Sequence, residues 1–138
     1  MRSGEVSWIQ PKEKGTKPGP RSGHSITCTH EKAIVFGGCG VQGGKSAVFN
    51  ETYILHIADQ YRWEKVDAMG DLPNPRWRHT ATTLPDNNSI FVFGGLCKGK
   101  RFNDSYIYDV FNPAARAYAW QAVEDGYIQP YDLRASCD

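Results

Sequence analysis

Apolar residues in this chain come in short runs, with Gly, Pro, Asn and Asp filling the gaps between them. Runs rich in β-branched and aromatic residues bounded by such turn formers read as strands. The pattern predicts strands over Gly23–Thr29, Ala33–Phe36, Thr52–Ile57 and Trp63–Val66. It predicts a second set over His79–Leu84, Ile90–Phe93, Ser105–Val110 and Tyr118–Val123. No segment carries a helical period of useful length. Ala114–Ala119 is too short, and Pro113 breaks what precedes it. The chain is therefore expected to be all-β.

The two sets are copies of one unit. Pro18-Gly-Pro20-Arg21-Ser-Gly-His24-Ser25 returns as Pro73-Asn-Pro75-Arg76-Trp-Arg-His79-Thr80, displaced by 55 residues. Ala33-Ile-Val-Phe36-Gly37-Gly38 returns as Ile90-Phe-Val-Phe93-Gly94-Gly95, displaced by 57. Phe49-Asn50-Glu51-Thr-Tyr53 returns as Phe102-Asn103-Asp104-Ser-Tyr106, displaced by 53, and Trp63 returns as Trp120. The offsets differ only between landmarks, where loops tolerate insertions.

Paired glycines after an apolar strand, a Tyr in the next strand and a Trp in the last resemble the kelch repeat. In that family each repeat forms one four-stranded antiparallel blade of a β-propeller, and a period of about 50 residues belongs to that class. The resemblance covers residues 5 to 123. It implies a closing strand in residues 1–10, where Ser7-Trp8-Ile9-Gln10 stands before Arg21 as Arg62-Trp63-Glu64-Lys65 stands before Arg76. One blade follows over 11–67 and a second over 68–123. A degenerate third unit begins in 124–138, with Arg134 in the arginine position and Cys137 in that of His24 and His79. Propellers close with about four to eight blades. Two blades thus form a partial propeller, whose remaining blades come from further sequence or from other copies.

Composition narrows the functional classes. The chain has 138 residues, with 16 Lys and Arg against 15 Asp and Glu, a net charge of +1. That balance argues against nucleic-acid binding by bulk charge. No apolar run reaches the ~18 residues a membrane span requires. No apolar stretch follows Met1-Arg2-Ser3-Gly4, so the expected location is the cytoplasm, with the nucleus as the alternative. Cys28, Cys39, Cys97 and Cys137 match no compact zinc spacing and are expected as free thiols.

The motifs that invite a catalytic reading do not support one. Gly44-Lys45-Ser46 suggests a phosphate-binding loop, but Cys39 stands where its first glycine belongs and a strand, not a helix, follows. That segment is expected to be a flexible loop. Asn50, Asn87 and Asn103 each open a glycosylation sequon, two of them inside the repeat. His24 and His79 share one repeat position and are expected to make structural hydrogen bonds. No catalytic residue, metal site or cofactor is assigned, and the chain is not expected to be an enzyme.

A surface argument remains. In a four-stranded blade, loops between the second and third strands share a face with the connections between blades. Here those loops carry Lys12, Lys14, Lys17, Arg21, Lys45, Arg76, Lys98, Lys100 and Arg101 against Glu13, Asp71 and Asp104. The expected function is a non-catalytic protein-interaction module, a scaffold or adaptor, whose basic face receives a protein partner such as an acidic peptide. The candidate contacts are Lys45, Arg76, Trp77, Lys98, Lys100 and Arg101. Arg21 and Arg76, in the repeated Pro-x-Pro-Arg element, have a structural role between blades as their alternative. Two other readings stand beside this one. The chain is the non-catalytic propeller of a larger enzyme, such as a phosphatase or ubiquitin-ligase subunit, or part of a propeller enzyme whose active residues lie in other blades.

Overall fold

The computed structural model describes residues 4–67, 69–112 and 117–123. The proposed third unit in 124–138 lies outside them. The first blade is built from β1 (Lys14–Gly15), β2 (Arg21–Ser22), β3 (Ser25–Thr29), β4 (Lys32–Phe36), β5 (Cys39–Gln42), β6 (Lys45–Val48), β7 (Thr52–His56) and β8 (Arg62–Val66). The second comprises β9 (Met69–Gly70), β10 (Thr80–Thr83), β11 (Ser89–Phe93), β12 (Leu96–Cys97), β13 (Lys100–Arg101), β14 (Ser105–Asn112) and β15 (Ala117–Ala122). Every described element is a strand.

Each blade is a twisted sheet of five strands, ordered β3-β4-β7-β8-β1 and β10-β11-β14-β15-β9. The four inner strands pair antiparallel in sequence order, as the pattern predicts. The fifth was not expected. Lys14–Gly15 and Met69–Gly70 lie parallel to β8 and β15 and cover the outer edge of each sheet. Both strands end on glycine because the backbones approach closely. A Cβ on Gly15 would stand 2.0 Å from the Trp63 carbonyl oxygen, and one on Gly70 would stand 2.1 Å from that of Trp120. The covered edge loses its unpaired backbone groups, a standard defence against strand addition.

Further hairpins rise from the turns between the second and third long strands. β5 and β6 form one, tied to the chain before it by β2. β12 and β13 form the other, tied by an antiparallel pair between Trp77 and Leu96. The segment expected to be a flexible loop is thus an ordered hairpin. Its tip residues Gly43 and Gly44 have φ of +57° and +77°, the left-handed pair that matches a tight turn to the strand twist.

The core lies between the blades. Ile34, Phe36, Ile54 and Val66 from one sheet face pack against Ile90, Val92, Tyr108, Val110 and Trp120 from the other. Trp120 is the wedge, with ring centroids 4.7 Å from both Phe36 and Tyr108. The inner strands meet along the seam, where Thr83 Oγ1 donates to the Cys28 carbonyl at 2.7 Å. The positions of blade 1 equivalent to the Trp120 face are Ile26, Ala33, Val35, Tyr53, Leu55 and Trp63; Ala33, Val35 and Tyr53 are buried, whereas Ile26, Leu55 and Trp63 are half-buried or exposed. Their counterparts on the far side of blade 2, equivalent to Ile34 and Phe36, are Phe91 and Phe93, both half-buried. Residues 7–10, where a closing strand is expected, carry no strand, and Trp8 is 98% exposed.

Candidate interaction surface

The repeated Pro-x-Pro-Arg element builds the floor of the loop face. Proline fixes φ and stiffens the connection that leads each arginine back toward its sheet. The Arg76 guanidinium sits 4.4 Å from the Phe102 ring centroid and 5.2 Å from that of Tyr106. Its Nη1 and Nη2 donate to the Asp104 carboxylate at 2.7 and 3.1 Å. Nη1 also donates to the Gly94 carbonyl, and Nε to that of Asn74. Arg21 repeats the cage with Phe49 at 4.5 Å, Tyr53 at 5.1 Å, Glu51 and the Gly37 carbonyl. Burial pushes the Asp104 carboxyl up, but the hydrogen bonds and charge of Arg76 outweigh it and hold it below the usual range.

Arg76 is completely buried, so it is not a surface contact. Its side chain fills blade 2, while its backbone joins blade 1. The Arg76 N–H donates to Phe49 O at 3.1 Å, and Gly38 N–H donates to Arg76 O at 2.9 Å. The structural alternative for this arginine holds. The double glycines serve the same junction. Gly37 and Gly94, with φ of +66° and +68°, present the carbonyls that the two arginines need.

His79 completes the seam. Its Nε2 lies 2.8 Å from Ser25 Oγ across the blade boundary, and its ring meets the edge of Phe36 at 5.1 Å. Burial, with the charges of Arg76 and His24, pushes the imidazole down to about 4. Neutral His79 is a structural hydrogen-bonding group, as expected. On the outer seam, Glu64 pairs with His56 at 2.7 Å and accepts from Tyr118 of blade 2 at 3.4 Å.

Above this floor stand the exposed groups. Strand registry puts the β5–β6 and β12–β13 hairpins at the same end of the blades as the Arg21 and Arg76 connections. Lys45, Lys98, Lys100 and Arg101 are exposed there and form no ion pair among the described residues. Trp77 is half-buried in the seam. Its ring lies over Gly23, and the Arg78 guanidinium lies 4.5 Å above the ring. Six charges leave the tally, the first of them Arg21, already caged with Glu51. Lys14 reaches Gln60 at the opposite end of blade 1, Lys17 pairs with Glu13, and Asp104 is consumed by Arg76. Arg78 joins it. Sequence reasoning passed over Arg78, although its place opposite Gly23 in the aligned repeats was a readable signal. The sequon residue Asn50 donates to the Pro73 carbonyl at 3.2 Å, a repeat-bracing role.

Comparisons with known proteins agree with this architecture. The family model described as the KLHDC2/KLHL20/DRC7 Kelch-repeats domain matches residues 40–132. The flagellar outer-arm dynein alpha chain of Chlamydomonas reinhardtii is 39% identical over 91% of this chain and 3% of its own length. The Rab9 effector protein with kelch motifs of Xenopus laevis is 34% identical over 77% of this chain and 28% of its own. Dynein regulatory complex subunit 7 of C. reinhardtii is 32% identical over 65% of this chain and 8% of its own. The chain thus spans a small part of each of these relatives. Kelch-repeat domains are typically protein-interaction modules, and no helix among the described residues is long and apolar enough to cross a membrane. Two copies of one blade, the double glycines, the packed tryptophan and the matching family model together place this chain in the kelch-repeat family.

Proposed function

We propose that this chain is a kelch docking segment of a larger, dynein-type flagellar protein, and that it holds an acidic protein partner through its loop face. The observation that carries the proposal is the β12–β13 hairpin, which projects Lys98, Lys100 and Arg101 with no acidic group paired to them among the described residues. Lys45 extends the patch from the neighbouring hairpin, and Trp77 offers part of a half-buried ring at the blade boundary. Unpaired cations on rigid hairpins attract and orient an anionic surface without a large ordering cost. The partner is a protein, the module is non-catalytic, and its setting is the flagellar cytoplasm rather than the nucleus. The names of two relatives support that setting.

The open faces support the larger protein. The Ile26, Leu55 and Trp63 positions and the Phe91 and Phe93 positions are the repeat counterparts of the two surfaces that pack together between the described blades. Further blades of the same polypeptide would cover them in the same way, and residues 7–10 would supply the outer strand of one such blade.

The test is fluorescence anisotropy with the full-length protein and a fluorescein-labelled hexaglutamate peptide. Lys98→Ala, Lys100→Ala and Arg101→Ala together are expected to weaken binding about tenfold and flatten its dependence on salt. Equal affinity and equal salt slope for the triple variant would remove the basis of the proposal.

A further inference from the structure

Two positions on the loop face break the repeat in the same way. Blade 1 has Gly23 at φ +63° and Gly43 at φ +57°, and blade 2 has Arg78 at φ +55° and Lys98 at φ +48° in the corresponding places. Left-handed backbone is glycine's natural region and is strained for long side chains. The fold is served by glycine at both positions, as blade 1 demonstrates. Residues held in strained conformations that the scaffold does not need are a mark of functional sites. Both side chains are exposed cations, and both flank the Trp77–Leu96 pair. Arg78 follows Trp77 and lies opposite Gly95, while Lys98 stands at the hairpin tip, so the two are separated by roughly three residue spacings, on the order of 10 Å. The same comparison gives Ser22 in place of Trp77, and Ala47 and Val48 before Phe49 where Lys100 and Arg101 precede Phe102. The residues that distinguish blade 2 from blade 1 on this face therefore gather at one place.

We propose that Arg78, Lys98 and Trp77 form the specificity-determining part of the loop face, holding an extended acidic peptide whose central apolar side chain rests on Trp77 with carboxylates on either side. This deepens the docking role proposed above and rests on it. Arg78 takes one carboxylate at the inner end of the Trp77 ring and Lys98 the other at the hairpin tip. The apolar residue between them uses the part of the ring that Gly23 and Arg78 leave exposed. Blade 1 lacks all three groups, so the full-length chain has one such site in these two blades.

The experiment uses the full-length protein with a fluorescein-labelled Glu-Glu-Leu-Glu-Glu peptide, read by anisotropy, beside thermal melting. The double variant Arg78→Gly, Lys98→Gly restores the residues that blade 1 uses. It is expected to melt at the same temperature or higher, and to bind the peptide about tenfold more weakly. Replacing the central Leu of the peptide with Ser is expected to weaken wild-type binding several-fold, and to have little effect on Trp77→Ser. A fall of several degrees in melting temperature for the glycine variant would show that the two cations serve the fold, overturning the proposal. Unchanged binding in that variant, with binding lost in the Lys98→Ala, Lys100→Ala, Arg101→Ala variant, would leave the basic face standing and remove this site from it. No wild-type binding of either peptide would overturn both.

Discussion

Gly70→Ala tests the element that the sequence pattern did not announce, the parallel strand at each outer edge. Gly70 has φ +87° and Gly99 has φ +78°, so alanine meets a similar left-handed backbone at both. That conformation costs about 1–2 kcal/mol for a residue with a Cβ. Loss of glycine's freedom in the unfolded chain returns about 0.4–1 kcal/mol. At Gly99 nothing lies within 4 Å of the new methyl, so the net cost there is expected to be about 1 kcal/mol. At Gly70 the methyl would stand 2.1 Å from Trp120 O, where real Cβ atoms stay beyond 3.0 Å, and the obstacle is backbone. Met69–Gly70 must then lift off β15 and surrender its parallel pairing and the Asp71 N–H bond to Trp120 O at 2.9 Å. At about 1 kcal/mol for each hydrogen bond, the total approaches 3 kcal/mol. Urea denaturation of the two full-length variants against wild type measures the difference. Equal stability of Gly70→Ala and Gly99→Ala would refute the close approach, and with it the fifth strand.

Three further outcomes follow from the seam. A double-mutant cycle of Arg76→Met and Asp104→Asn, followed by thermal melting, is expected to give a coupling of about 1–3 kcal/mol, because the guanidinium is fully buried while the carboxylate keeps 37% side-chain exposure. His79 is held near 4 against an ordinary 6.5, so stability is full above pH 6.5 and falls as pH drops toward 4, by up to about 3 kcal/mol. His79→Gln is expected to flatten the dependence of melting temperature on pH across that window, and an unaltered slope would assign it to other groups. Trp120→Ala is expected to cost about 3–5 kcal/mol, since it empties the wedge between Phe36 and Tyr108, and a loss under 1 kcal/mol would place the core elsewhere.

Much of the fold was legible because the blades need particular residues at particular places. Two glycines must present a carbonyl to an arginine, a tryptophan must fill the seam, and the long strands alternate around them. What escaped was set by contacts that no local pattern records. Lys14–Gly15 has neither the length nor the β-branched residues of a strand, and it pairs only because Gly15 can approach Trp63 O. The spacing Gly15-x-x-Pro18 and Gly70-x-x-Pro73 carried that signal within the repeat. The hairpin at Cys39–Val48 looked flexible because its glycines were counted as freedom, whereas each supplies a turn angle. Arg76 looked like a surface cation because charge alone does not reveal that Phe102, Tyr106 and Asp104 fold around it.

The same cages separate architecture from recognition on the loop face. A residue present in both copies, such as Arg21 and Arg76 or Glu51 and Asp104, is explained by the blade, and here its charge is already spent inside the sheet. A residue present in one copy is not required by the blade. Counting every lysine and arginine on the face mixes the two kinds and overstates the field that a partner meets. Removing the caged pairs, the Lys17–Glu13 pair and the distant Lys14 leaves Lys12, Lys45, Arg78, Lys98, Lys100 and Arg101 against Asp71. Arg78, Lys98, Lys100 and Arg101 belong to blade 2, so the charge surplus is not shared equally by the two described blades. An acidic partner would be drawn to the blade 2 hairpin and the seam beside it, and it would be oriented by the blade 1 hairpin, where Lys45 is the single charge beside Ser22, Val41 and Ala47.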